Sequence, residues 1–118
     1  MKEVKPRIVR AYTTPDGRKP FREWLTSLKD KRAQVEIYTR IERVELGNFG
    51  DCKRGISGRV GEMRIDVGQG YRVYFGEMKN IIIILLCGGD KRTQKRDIKK
   101  AEKYWQDAKS NPQSYYEH

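Results

Sequence analysis

Histidine and cysteine are nearly absent from this sequence of 118 residues, which holds one histidine, His118, and two cysteines, Cys52 and Cys87. A structural zinc needs four ligands at recognisable spacing, so no zinc is expected, and nothing else in the sequence calls for a cofactor. A mechanism built on paired histidines is excluded, because His118 stands alone as the last residue. The cysteines form no CxxC pair and follow no secretory leader, which reads as reduced thiols in a cytoplasmic protein. The longest apolar run, Ile81 to Cys87, is far too short to cross a bilayer, and no lipidation signal is present, so no membrane partner is expected. No Asp/Glu cluster has an obvious two-metal arrangement.

Acidic residues are also in deficit. There are 26 Lys and Arg against 16 Asp and Glu, a formal charge of +10. Such an imbalance costs self-repulsion, and a polyanion is the usual partner that makes it useful, nucleic acid above all. The length suits one domain with a modest core, residues 1–110, followed by a polar tail, 111–118.

Val4 to Tyr12 reads as a first strand, and Pro6 within it implies an edge position or a late start. Thr14-Pro15-Asp16-Gly17 is a turn, and Pro20 suits the first turn of a helix whose apolar face is Phe21, Trp24, Leu25 and Leu28. Asp30 caps a second helix with Ala33, Ile37, Tyr38, Ile41 and Val44 on one side. Its interleaved charges, Arg32, Glu36, Arg40, Glu42, Arg43 and Glu45, read as a solvated face with ion pairs. Phe49 to Gly61 is glycine-rich and reads as a loop; it lacks both the Walker and the dinucleotide fingerprint.

Glu62–Val67 and Tyr71–Phe75 alternate as strands around a Gly68-Gln69-Gly70 turn. Ile81–Cys87 has the unbroken apolar pattern of a strand buried on both faces. Gly88-Gly89-Asp90 is expected to break that strand, and Thr93 to cap a final helix carrying Ile98, Ala101, Trp105 and Ala108. The order βααβββα implies an α+β domain: a small, mostly antiparallel sheet, an N-terminal helical hairpin and a C-terminal helix, with the helices packed to one side.

Alternation puts Met63, Ile65 and Val67 on one face of their strand and Glu62, Arg64 and Asp66 on the other. Arg72 and Tyr74 likewise oppose Tyr71, Val73 and Phe75. With the apolar sets toward the helices, Arg64, Arg72 and Tyr74 share an open face, where two guanidiniums and a phenol suit a phosphate and a stacked base. The competing reading pairs both arginines with Glu62 or Asp66. A second basic cluster runs from Lys91 and Arg92 through Lys95, Arg96, Lys99, Lys100 and Lys103. Lys91 and Arg92 stand where a strand ends, beside that face, while the helix lysines supply a general positive field. Arginine stabilises charge but is a poor base, which leaves Glu62 or Asp66 as bases.

The segments Gly61-Glu-Met-Arg-Ile-Asp66, Gly70-Tyr-Arg-Val-Tyr-Phe75 and Gly88-Gly89-Asp90-Lys91 with Thr93-Gln94 and Asp97-Ile98 resemble the HigB-like branch of the RelE/ParE toxins, often labelled phage-derived or addiction-module killer proteins. Phe21-Arg-Glu-Trp-Leu25 fits the opening of the helical hairpin, so the resemblance covers nearly the whole chain.

It implies the toxin of a type II toxin–antitoxin module that cleaves mRNA on the ribosome without a metal. The cognate antitoxin would be of the helix-turn-helix type. In such cleavage the substrate's 2′-OH attacks the adjacent phosphate while the enzyme orients the RNA and neutralises charge. Carried over by motif position, Arg64, Arg72, Lys91 and Arg92 would serve catalysis, with Tyr74 for stacking or proton handling. Lys53, Arg54, Arg59, Lys95 and Arg96 would help bind nucleic acid. Some relatives place a catalytic His or Tyr near the C-terminus, and Tyr104, Tyr115 and Tyr116 match no such position. The same fold also includes gyrase poisons that cut no RNA, and a nucleic-acid-binding protein without chemistry is the third reading.

Overall fold

In the computed structural model, which describes residues 5–117, six strands form one sheet in the order β2-β3-β4-β5-β1-β6. They are β1 (Ile8–Tyr12), β2 (Cys52–Ser57), β3 (Val60–Ile65), β4 (Tyr71–Met78), β5 (Ile82–Asp90) and β6 (Tyr115–Glu117). Three α-helices accompany them, α1 (Pro20–Ser27), α2 (Lys31–Glu45) and α3 (Gln94–Ser110). β1 runs parallel to β5, and every other pairing is antiparallel. The fold class is the α+β one expected. Val4 and His118 lie outside the described residues.

Local chemistry sets most of the boundaries. β1 begins at Ile8, after Pro6, so the late start holds and the edge position does not: β6 covers its outer side. Asp30 caps α2 by accepting from the Ala33 amide at 3.1 Å, worth about 1 kcal/mol. Gly47, at φ 94°, ends that helix in the left-handed region open to glycine.

Several expectations need correction. The stretch expected to be a loop contains β2, which pairs with β3 through a register shift between Lys53 and Ser57; its glycines sit at the bulge and turn rather than in a free loop. Gly88 and Gly89 do not break β5, which runs through them to Asp90. Thr93 makes no side-chain cap on α3. Asp90 instead caps one turn of 3₁₀ helix, Lys91–Thr93, while the Thr93 hydroxyl donates to Asp97.

The helices occupy both faces of the sheet, not one. α1 and α2 cover Val9, Met63, Ile65, Val73, Phe75, Ile83 and Leu85 on one side. α3 lays Ala101, Trp105 and Ala108 over Val60, Tyr74, Ile84 and Leu86 on the other. β5 is the shared wall, its residues Ile83 to Leu86 alternating between two cores at 0% exposure. Each such side chain contributes roughly 1.5–3 kcal/mol by leaving water. The end of the α3-covered face that carries Arg64 is left to solvent.

Candidate nucleic-acid interface

The register sets Arg64 of β3 directly opposite Arg72 of β4, and Glu62 opposite Tyr74. Two like charges facing each other across a ladder destabilise the pair unless something answers them. Glu62 does so, with only 1% of its surface exposed. Its carboxylate lies 3.4 Å from Arg64 Nε and 3.5 Å from Arg72 Nε. Gln94, the first residue of α3, donates from Nε2 to Glu62 Oε1 at 2.7 Å. One buried carboxylate therefore holds two guanidiniums, and the group keeps one net positive charge.

Arg64 donates to Glu62 from its inner Nε, whereas the inner Nε of Arg72 is buried in an ion-pair contact with Glu62 that lacks hydrogen-bond geometry, and Arg72 Nη1 donates to the Tyr71 carbonyl at 3.5 Å. The Arg64 side chain is 39% exposed and neither of its Nη atoms has an acceptor among the described residues; Arg72 is 12% exposed. The backbone of Arg64 is anchored on both sides. Its N–H donates to Asp51 O at 2.9 Å, and its C=O accepts from Arg40 Nη1. Arg40 also donates to the carbonyls of Phe49 and Asp51, at 3.0 and 2.9 Å. Burial pulls its pKa below the ordinary arginine value. The expectation that Arg40 belongs to a solvated, ion-paired face is overturned: it ties α2 to the strand that carries Arg64.

Tyr74 does share this face, but α3 closes over it. It is 0% exposed, and its hydroxyl has no hydrogen-bond partner among the described residues. Burial first, then the carboxylates of Glu62 and Asp97, push its phenol well above the ordinary value, so it stays protonated. A substrate base cannot stack on it, and it cannot act as a base near neutral pH. Tyr104 stacks on Tyr12 with ring centroids 5.0 Å apart, a packing role away from the arginines. Asp66 is exposed and pairs with neither arginine, so of the two acids considered Glu62 is the partner.

Other basic residues divide by position. Lys53 is the β2 partner of Glu62, so it is on the same face, and it is exposed. Lys91 lies against Gly70 in the β3–β4 turn, where an added Cβ would come 2.9 Å from Lys91 Cε. That places its ammonium near the end of β4 that bears Arg72. Arg92 is exposed and lies 3.3 Å from Asp90. Lys95 and Arg96 are exposed on the first turn of α3, with Arg96 Nε 3.8 Å from Asp97.

Two candidates are not part of this group. Arg54 makes a two-pronged pair with Glu77, both contacts 2.6 Å, and lies 4.3 Å over the Phe49 ring, which packs against the α1–α2 core. Arg59 sits in the β2–β3 turn, at the opposite end of β3 from Arg64. Sequence reasoning also passed over Gln94, whose amide meets a carboxylate 32 residues away; no local spacing signals that contact.

What the arrangement can do is bind a phosphate by preorganised, doubly cationic contact, without moving charge into place at the moment of reaction. Residues 23–106, well over half the chain, match the family model for phage derived protein Gp49-like (DUF891). The chain belongs to the Gp49-like family. A protein of Haemophilus influenzae (strain KW20 / Rd), carried as an uncharacterized protein, is 51% identical over 82 residues, spanning 70% of this chain and 82% of its own. The stretch of this Gp49-like chain matched to the family runs from within α1 into α3, and so takes in Glu62, Arg64, Arg72 and Gln94. No helix among its described residues is long and apolar enough to cross a membrane.

Proposed function

We propose that this Gp49-like chain is the toxin of a type II toxin–antitoxin module, acting as a ribosome-dependent, metal-independent mRNA endoribonuclease in the manner of the HigB-like RelE/ParE toxins. The observation that carries the reading is the Arg64–Glu62–Arg72 arrangement: two guanidiniums held by one buried carboxylate at the uncovered end of the sheet. A phosphodiester seated there would meet Arg64 and Arg72 as the RNA's own 2′-oxygen attacks phosphorus and the 5′-oxygen leaves. The arginines would neutralise the charge gathering on the nonbridging oxygens. Lys91, Lys53, Arg92 and the first turn of α3 would hold the flanking strand. The basic surface also fits an acidic antitoxin partner, and gives the gyrase-directed alternative no particular support, since a protein-binding poison does not need a phosphate site.

The test is cell-free translation of a reporter message followed by primer extension. The chain should produce discrete cuts. Arg64→Ala and Arg72→Ala should each lower the cutting rate by roughly 10²-fold or more, the scale of losing a preorganised charge donor. Arg54→Ala, whose guanidinium is engaged by Glu77, should cut within about twofold of the parent. Thermal melts of each variant separate lost chemistry from lost folding. An intact message with DNA damage in growing cells would mean a gyrase poison, and neither effect a binding protein without chemistry.

A further inference from the structure

β1 covers only part of its neighbour. Ile8 to Ala11 pair with Ile82 to Leu85, after which the chain turns off through Thr13 toward Ser114. From Leu86 to Asp90, β5 has β4 on one side and, among the described residues, no strand on the other. A cavity of about 440 Å³ opens along this bare edge, between α1 and α3, with Cys87 to Asp90 forming its floor.

The two glycines make the edge thin. A Cβ on Gly88 would fall 2.2 Å from the Trp24 ring, and one on Gly89 would fall 1.8 Å from Asp97 Oδ2. α1 and α3 therefore press on the strand from either face and leave its rim showing. In an antiparallel ladder every second residue turns both its N–H and its C=O away from the partner strand. Asp90 turns its N–H away from β4, where Thr93 Oγ1 meets it at 3.3 Å; two residues back, past which the register shifts at Leu86, Gly88 turns its N–H and C=O the same way, into the cavity.

We infer that this slot takes an extended segment of a partner protein, added to β5 as a strand whose flanks are acidic. Backbone pairing on an open edge supplies affinity, and side chains that alternate along the guest strand supply selectivity. The four residues of β5 that floor the cavity run about 13 Å, room for a guest of about four residues. The guest's alternate side chains would meet Trp24 on the α1 side and Tyr104 on the α3 side, both of which line the cavity.

Charge selects the flanks. Arg18, Arg96 and Lys100 line the slot against Glu23, Asp90 and Asp97, so its interior is balanced. Outside it, the exposed Arg92, Lys95 and Lys99 make the mouth strongly basic. A basic or neutral strand would gain nothing there, whereas an acidic one is drawn in. The slot opens on the β1 side of β5, apart from Arg64 and Arg72 on β3 and β4, and shares with the RNA reading only the basic residues Arg92, Lys95 and Arg96 at its mouth and on the first turn of α3.

The test uses the full chain and a fluorescein-labelled peptide, Asp-Glu-Val-Thr-Val-Thr-Asp-Glu. Amide hydrogen exchange followed by NMR should show the Gly88 amide slowed at least tenfold at saturating peptide. N-methylation of alternate peptide amides should weaken binding more than tenfold, and Lys100→Glu several-fold, while Arg64→Ala leaves it unchanged. The inference is overturned if the Gly88 amide stays unprotected, if a lysine-for-acid version of the peptide binds equally well, or if a short RNA oligonucleotide protects the same amide in the peptide's place.

Discussion

Replacing Glu62 by Gln should separate binding from turnover. The substitution keeps the shape and the hydrogen bond to Gln94 but removes the one negative charge between Arg64 and Arg72. Folding should suffer moderately. Arg64 is 39% exposed and can hydrate, so most of the loss falls on Arg72, at 12%. An unanswered, largely buried charge-assisted contact of this kind costs about 1–3 kcal/mol.

Polyanion affinity should move the other way. A carboxylate roughly 6 Å from a bound phosphate, at an effective dielectric of about 40, repels it by about 1.4 kcal/mol, or tenfold. One more uncompensated cation also steepens the dependence of log affinity on log salt by about 0.7 for a single strand. Cutting should nevertheless fall by about 10- to 100-fold, because the guanidiniums lose the anchor that fixes their direction. Fluorescence anisotropy with a 2′-deoxy oligonucleotide, which cannot be cut, measures affinity across a salt series, and primer extension measures turnover. Tighter binding with a steeper slope and slower cutting is the expected pattern. Weaker binding at an unchanged slope would refute the claim that Glu62 tempers and aims a phosphate site.

Tyr74→Phe deletes a buried hydroxyl that has no hydrogen-bond partner among the described residues, so the melting temperature should hold or rise, by up to about 1 kcal/mol of stability, and cutting should stay within about twofold. A large loss of activity with folding intact would restore a direct role for the phenol. Alkaline pH should destabilise the domain through groups that the fold keeps protonated. Tyr12 and Tyr74 are pushed well above 10.0, chiefly by burial, and the Cys87 thiol is pushed up from 9.0 to about 12 by burial and the adjacent Asp97 carboxylate. The unfolded chain loses these protons first, so the stabilisation is whole below about pH 9 and drains away as pH climbs toward 12. The part of the 295 nm tyrosinate absorbance that belongs to Tyr12 and Tyr74, two of seven tyrosines, read as the part missing from Tyr12→Phe and Tyr74→Phe variants, should therefore rise together with the loss of near-ultraviolet circular dichroism. Ionisation of that part in the folded protein would refute this.

Periodicity made much of the fold legible. The spacing of Phe21, Leu25, Ile37 and Ile41 identified two helices, and alternation around Arg64 and Arg72 placed both on one face. The unbroken run from Ile81 to Cys87 already required cover on both sides, which is incompatible with helices on one side only; the strand pattern was the better guide. β2 escaped notice because its sequence, Cys-Lys-Arg-Gly-Ile-Ser, is held by pairing to β3 and not by any pattern of its own. The arginines were legible as a pair, but the third party that organises them was not. Glu62 was open as a base or as an ion-pair partner, and its ion pairing to both arginines, with Gln94 arriving from far along the chain, is visible only in the folded structure. Tyr74 was misplaced for the same reason: alternation tells which face a residue takes and says nothing of what lies above it.

The closeness of Trp24 to Gly88 and of Asp97 to Gly89 carries an evolutionary consequence. Neither position has room for even a methyl group, whereas the exposed lysines of α3 can exchange places with arginine or shift by a turn at little cost. Across relatives, the Gly-Gly step should drift only in company with its two neighbours, Trp24 and Asp97. Chains that exchange a glycine there should carry a smaller residue at the matching helix position, and their alignment would record that covariation.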